Sequence, residues 1–360
     1  MNNGTSVSNS SECIGCPCHE IQQAWENYHA WYQTIICCIG VIANVLILAT
    51  LLAARISHSC HVYVLALTLA DLVYCLCRLA IYHYSRLPQG VMELWLCRAL
   101  FTAYNVGRGF GNWLMVLLAA DRLRVVASPL RTHAKGRRTQ FAVACTGALC
   151  VTVLAVNLPR FFYTVQFRDV YYQGKWYMPY CYLLLTDLSL ALRGAELALT
   201  IHVPVVANAV INIVLCYCIW DMRKRRRRLS QVPSSVRRSR QATSSTDDAE
   251  RQLTQMLLAT SIMHSVFSLP IACLEAVNLK QAFVRTNDYF LYLCINYGLS
   301  LFYSWQVFIN LPIYLLYNTA FKQQFLRLLL PCCFRGGNDG GLHSRKNVPT
   351  VASSVSETNM

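Results

Sequence analysis

Seven long runs of apolar residues alternate with short polar segments along most of the chain. They cover Trp31 to Ala53, His61 to Ser85, Leu94 to Val126, Thr139 to Phe162, Leu188 to Met222, Glu250 to Val277 and Asn287 to Tyr317. Each is long enough to cross a hydrocarbon core of ~30 Å, which takes about 20 helical residues. The pattern predicts an all-α membrane protein, a bundle of seven transmembrane helices. Phe321, Phe325 and Leu328 then recur at helical spacing among basic and polar residues, which predicts a short amphipathic helix on the membrane surface. The expected layout is an N-terminal segment over 1–30, a membrane domain over 31–330 and a disordered tail over 331–360. Basic residues gather at alternate connections: Arg55 and His58, then Arg131, Lys135, Arg137 and Arg138, then Arg223, Lys224 and Arg225 to Arg228. By the positive-inside rule these loops are cytoplasmic, the N-terminus extracellular and the C-terminus cytosolic.

Composition agrees. Of 360 residues 55% are hydrophobic and only 14% charged, against about 25% charged in soluble domains. The net charge of +15 does not imply nucleic acid, because the basic residues sit in alternate loops rather than on one binding face. No internal repeat of the kind common in transporters is visible. No Walker loop, His-Glu-x-x-His or Gly-x-Ser-x-Gly stands in the chain, so no enzyme, cofactor or metal centre is expected. The N-terminal segment carries two glycosylation sequons, at Asn3 and Asn9. Its Cys13, Cys16 and Cys18 lack a second ligand pair for a metal and suit extracellular disulfides. Cys332 and Cys333 follow the amphipathic helix and are palmitoylation candidates. Arg227-Arg228-Leu229-Ser230 has the form of a basophilic kinase site, and Glu357 to Met360 has the form of a PDZ ligand.

Polar residues inside the apolar runs need a reason. Asn44, Asp71, Asn310 and Tyr314 sit in the first, second and seventh runs, and the third ends in Asp121 and Arg122. The stretch Asn112 to Leu130, with Pro129 seven residues after Arg122, resembles the Asp-Arg-Tyr region of rhodopsin-like G protein-coupled receptors. Asn44, Asp71 and the Asn310-to-Tyr314 spacing resemble the buried polar core of that family, although the proline arrives one place late, at Pro312. The polar core reads equally as a structural interhelical network and as a switch. Gly111 stands where relatives place a serine that helps hold sodium, and His264, Ser268 and Asn212 replace residues often linked to activation.

The resemblance implies a receptor at the plasma membrane that binds an extracellular ligand and activates a heterotrimeric G protein, with arrestin and receptor kinases as further partners. It implies a bridge between Cys97, twenty-five residues before Arg122, and Cys181. It also implies an inactive-state lock between Arg122, Asp121 and Glu250.

The ligand is expected to be a peptide. Tyr104 stands where amine receptors carry an aspartate, and Ser304 where opsins carry the retinal lysine. Asn157 to Phe162 resembles the fourth-helix exit of FMRFamide receptors and related neuropeptide receptors, and the aromatic stretch from Phe161 to Cys181 fits a β-hairpin lid. A chemosensory or lipid-sensing receptor of the same fold is the alternative. Tyr104, Arg108, Gly111, Met115, Leu118 and Arg122 form one helical stripe, which places Arg108 about 21 Å outward of Arg122 on the face toward the bundle. Arg78, Glu196, Ser268 and Glu275 are expected around it, with Arg78 and Arg108 held against Glu196 and Glu275. That group reads either as a structural ion-pair network or as a pocket for a charged peptide.

Overall fold

The computed structural model describes residues 17–53, 59–84, 94–127, 135–166, 170–172, 175–177, 181–183, 187–229, 244–278 and 289–330. Seven helical spans appear in chain order. The first four are α1 (Pro17–Ala53), α2 (Ser59–Tyr84), α3 (Leu94–Ala127) and α4 (Lys135–Tyr163). The fifth consists of α5 (Asp187–Leu197), a π-helical turn (Ala198–His202) and α6 (Val203–Leu229). The sixth is α7 (Ser244–Asn278), and the seventh is α8 (Tyr289–Ser304) followed by α9 (Gln306–Tyr317). The amphipathic helix is α10 (Thr319–Leu329), capped by the Asn318 side chain, which accepts from the Phe321 amide at 3.0 Å. Asn3, Asn9, Cys332, Cys333 and the last four residues lie outside the described residues, as do the side chains of Cys181 and Glu250.

Between the fourth and fifth spans lie two nested antiparallel pairs. β1 (Thr164–Gln166) pairs with β4 (Cys181–Leu183), and between them β2 (Val170–Tyr172) pairs with β3 (Lys175–Tyr177). This agrees with the expected hairpin, and both β1 and β4 contact α3.

Six spans are apolar enough to read as membrane-crossing by composition; α3 is not among them. The reason is its position. It packs against α2, α4, α6 and α7, and among its described large apolar side chains only Trp95 is exposed. A helix surrounded by other helices needs little lipid-soluble surface and can carry Asn105, Arg108 and Asn112. By contrast α6 presents Val203, Val206, Val210, Ile213 and Tyr217 outward, as a lipid-facing helix must.

Close approach at the centre depends on glycine. A Cβ on Gly107 would lie 3.1 Å from the Ala70 carbonyl oxygen and 3.2 Å from the Tyr74 amide nitrogen, both backbone atoms of α2. On the opposite side of α3 a Cβ on Gly109 would meet Thr200 at 3.0 Å.

The π turn follows from Pro204. The Val203 amide reaches back five residues to the Ala198 carbonyl, and Pro204 has no N–H to offer. The carbonyls of Leu199 and Thr200 therefore lose their helical donors. Two adjacent residues of α3 replace them: Trp113 Nε1 donates to the Leu199 oxygen and Asn112 Nδ2 to the Thr200 oxygen, each at 2.8 Å. Freed backbone groups in a membrane must be satisfied in this way by a neighbouring helix.

Pro312, the proline that arrives one place late in the seventh span, lies inside α9. The interruption is at Trp305, seven residues earlier, whose amide takes a short bond to the Phe302 carbonyl at 3.2 Å. Its indole Nε1 donates to Tyr32 Oη of α1 at 2.5 Å.

Candidate functional site

Charged and polar side chains cluster at two depths, linked by α3. At the end of α3 expected to lie inside, Arg122 is almost wholly buried and donates to Asp121 at 2.7 Å. Ser59 Oγ, at the start of α2, donates to the same carboxylate at 3.2 Å. Arg122 Nε is buried without an acceptor. The arginine is thus turned sideways onto its own neighbour, with donor capacity unused. Glu250 is a residue of α7, with its side chain outside the described set.

In mid-bundle the polar core forms two separate ties. Asn44 Nδ2 donates to the Gly40 carbonyl at 2.9 Å and to the Val307 carbonyl at 2.7 Å, joining the first and seventh spans. Asn310 Nδ2 donates to Asp71 at 3.2 Å, joining the second and seventh. Gly111 flanks Asp71, whose oxygen would lie 4.0 Å from a Cβ there. Tyr314 is buried against Phe321, ring centroids 5.6 Å apart. Ser268 Oγ donates to Gln306 Oε1 at 3.2 Å and lies 3.5 Å from His264 Nδ1, tying the sixth span to the seventh.

The outer cluster holds three arginines, Arg78 and Arg160 buried and Arg108 partly buried. Arg108 and Glu275 meet across α3 and α7 at 3.3 Å, with side chains 11% and 21% exposed; this is the pairing the helical stripe predicts. Glu196 is not part of it. Arg160 of α4 takes Glu196 in a bidentate bridge, Nη2 at 2.7 Å and Nε at 2.9 Å, nearly sealed from solvent. The expectation that Glu196 faces Arg78 or Arg108 is therefore corrected. The wide turn at Ala198–His202 holds about one residue more than an α turn, so the helix outside it is rotated by about 100°. That rotation carries Glu196 toward α4.

Arg78 has no carboxylate partner among the described residues. Nη1 donates to Tyr74 Oη and Tyr104 Oη, both at 2.8 Å, and Nη2 to Ser300 Oγ at 3.2 Å and Tyr82 Oη at 3.3 Å. Its guanidinium also lies 5.4 to 5.7 Å from the centroids of the three phenol rings. Tyr104 links this shell to Arg108, one helical turn inward.

Arg160, Tyr74, Tyr82 and Ser300 escaped the sequence reading. Arg160 follows Pro159 near the end of the fourth span, where an interfacial arginine is ordinary. The sequence carries no cue that its partner is a glutamate of the fifth span. Tyr74 and Tyr82 flank Arg78 at i−4 and i+4, a signal that helical spacing does offer.

Spans five and six are joined by polar bonds along much of their length. Asn208 Nδ2 donates to Ser265 Oγ at 2.8 Å and to the Ser261 carbonyl at 3.2 Å, and its Oδ1 accepts from Ser261 Oγ at 2.7 Å. Asn212 Nδ2 donates to Ser261 Oγ at 2.9 Å. Farther out, His202 contacts the Ala272 carbonyl through Nε2 at 3.0 Å.

Cys97, near the start of α3, stands in a disulfide. Among the described residues Cys37, Cys60 and Cys75 are buried free thiols, and no group of His, Cys, Asp or Glu could hold a metal ion.

Comparison with known proteins places this geometry. The chain is 23% identical to C-C chemokine receptor type 7 of Mus musculus over 145 residues, 38% of either chain. The human form gives 21% over 206 residues, so the chain spans about half the length of that relative, 53%. Somatostatin receptor type 5 of Rattus norvegicus is 24% identical over 315 residues, 84% of this chain and 77% of its own. The family model for the seven-transmembrane receptors (rhodopsin family) matches residues 43–303. That match takes in Arg122, Asn44, Asp71 and the ion pairs of Arg108 with Glu275 and Arg160 with Glu196, and the chain belongs to the rhodopsin family of seven-transmembrane receptors.

Proposed function

We propose that the protein is a peptide receptor of the plasma membrane that couples to a heterotrimeric G protein. The observation that carries this reading is the arrangement along α3. A partly exposed charge pair, Arg108 with Glu275, stands outward of a buried arginine, Arg122, whose Nε has no acceptor. The outer pair offers a ligand both signs of charge, with Tyr104 beside it for an aromatic side chain. The inner arginine needs only to turn from Asp121 to present its donors to a cytoplasmic partner. A ligand that binds better when α7 has moved would shift the bundle between these two arrangements.

Three features support a peptide over a small amine. Position 104 is tyrosine, β1 and β4 contact α3, and the relatives are named for chemokines and for somatostatin. Within that class our reading is an amidated neuropeptide of the FMRFamide-like kind, from the resemblance of Asn157 to Phe162. Cys97 with Cys181 is the bridge we assign to the tether of the strands. Cytoplasmic loops rich in arginine orient the N-terminus outward. Arrestin, receptor kinases and, through Glu357 to Met360, a PDZ protein are the further partners proposed.

The test is a screen of amidated peptides on cells expressing the receptor, read by calcium, cyclic AMP and arrestin recruitment. A responding peptide should lose its G protein signal, but not its binding, in Arg122→Ala. Binding and signalling that fall together at equal surface expression would refute the assignment of Arg122. For the lock, Glu250→Ala is expected to raise basal signalling.

A further inference from the structure

We infer that Arg78 is the seat of a carboxylate supplied by the ligand. The inference rests on the reading that a ligand enters the outer chamber, and it adds which chemical group that ligand must bring.

Three other arginines of the bundle interior are each paired with an acid. Arg160 holds Glu196, Arg108 holds Glu275 and Arg122 holds Asp121. Arg78 is just as deeply placed, 8% exposed against 7% for Arg160, and among the described residues no acid lies within ion-pair distance of it. Its partners are three phenols and a serine hydroxyl. Hydroxyl oxygens and ring faces solvate a cation but cannot cancel its charge. The outer cluster of three arginines and two glutamates therefore carries one positive charge in excess. An ionised side chain at such depth without a counter-ion is costly, and it marks a site of function more often than one of scaffolding.

The shell around Arg78 suits an incoming anion. Tyr82, Tyr104 and Ser300 are only half buried, whereas Tyr74 lies beneath at 2% exposure. The approach is thus from the side of Tyr82 and Tyr104, next to the partly exposed Arg108 and Glu275. Each hydroxyl now accepts from Arg78, yet each also carries a proton it can donate. A carboxylate entering there receives guanidinium N–H groups and phenolic O–H groups together. A carboxylate matches the planar guanidinium in shape and cancels the single excess charge; a phosphate dianion would overshoot it.

The carboxylate has two possible sources, a free peptide C-terminus or an acidic side chain within an amidated peptide. Thermal unfolding of the purified full-length receptor separates them with fragment probes. N-acetyl-phenylalanine represents the terminus, N-acetyl-glutamic acid α-amide the side chain, and N-acetyl-phenylalaninamide the neutral control. At concentrations tenfold above the dissociation constant, one of the two acids is expected to raise Tm by about 3 °C, and the control not to. Arg78→Met should abolish the acid-specific shift and Arg78→Lys retain part of it. If neither acid protects the wild type more than the neutral control, the inference is overturned, with no variant required. It is equally overturned if Arg78→Met keeps the shift. A peptide agonist that signals normally through Arg78→Met would sink the carboxylate seat alone and leave the peptide-receptor reading standing.

Discussion

Replacing Asn208 with leucine removes the centre of the ladder between the fifth and sixth spans while nearly preserving volume. Three hydrogen bonds go at once: those to Ser265 Oγ and the Ser261 carbonyl, and the one accepted from Ser261 Oγ. Two of the groups left behind keep partners. Ser265 Oγ still donates to the Ser261 carbonyl at 3.1 Å, and Ser261 Oγ still accepts from Asn212. The cost is therefore close to that of the bonds themselves. Interhelical hydrogen bonds in membranes average ~0.6 kcal/mol in double-mutant cycles, so three are worth about 2 kcal/mol. If the sixth span must leave the fifth for signalling, the substitution favours the open arrangement about 20-fold, since ~1.4 kcal/mol is a factor of ten. A resting open population of ~1% would rise to roughly a sixth of the receptors. The assay is basal nucleotide exchange on a G protein at matched surface expression, alongside Tm of the purified receptor. The expected result is a several-fold rise in basal exchange. A fall in Tm with unchanged basal exchange would show that the ladder persists in the signalling state, and the argument would fail.

The two outer acids should behave differently. Glu196→Gln removes the carboxylate that neutralises Arg160 in a sealed site and should cost ~3–5 kcal/mol of stability, read as lost surface expression. Glu275→Gln, at a partly open site, should keep expression and instead lower potency for a basic peptide. If both merely lower expression and surviving receptors keep full potency, the Arg108–Glu275 chamber is scaffolding. Cys97→Ser and Cys181→Ser should each reduce surface expression, with the double variant no worse than either single; additive losses would exclude a shared bridge. Gly107→Ala presses a methyl group onto the α2 backbone at 3.1 Å and should destabilise by about 1–3 kcal/mol, measured as a lower Tm. An unchanged Tm would mean that the two helices can part freely there.

The number of spans and the face of α3 toward the bundle were legible because both depend on local periodicity. Arg108 finds Glu275 for that reason: the stripe running from Tyr104 to Arg122 lies on a single uninterrupted helix. Glu196 was misplaced because helical counting fails across a wide turn. The turn arises from the loss of the Pro204 amide and from α3 donors that rescue the freed carbonyls, a tertiary circumstance invisible in the fifth span alone. Nor does the proline pattern locate the interruption of the seventh span, which falls at Trp305, anchored by Tyr32 from another helix. The shell of Arg78 includes Ser300, more than two hundred residues away in sequence, and no spacing rule reaches that far.

The polar character of α3 has a consequence for how the protein is made. On the scale by which the translocation machinery sorts helices, one central arginine costs ~2.5–3.5 kcal/mol, while a leucine or valine returns only ~0.3–0.6. With Asn105, Arg108 and Asn112 in its middle, α3 has too few apolar residues to partition into lipid unaided. It has no stable place in the bilayer until other spans are there to surround it. Its neighbours come from both sides in sequence: α2 earlier, and α4, α6 and α7 later. The third span must therefore wait at the translocon, or in the care of a membrane chaperone, while the ribosome adds roughly another hundred and fifty residues to complete α7. During that interval the helix that later carries the signal is the least secure part of the nascent chain. Substitutions on the faces of α2, α6 or α7 that receive it then act first on biogenesis, before any ligand is met.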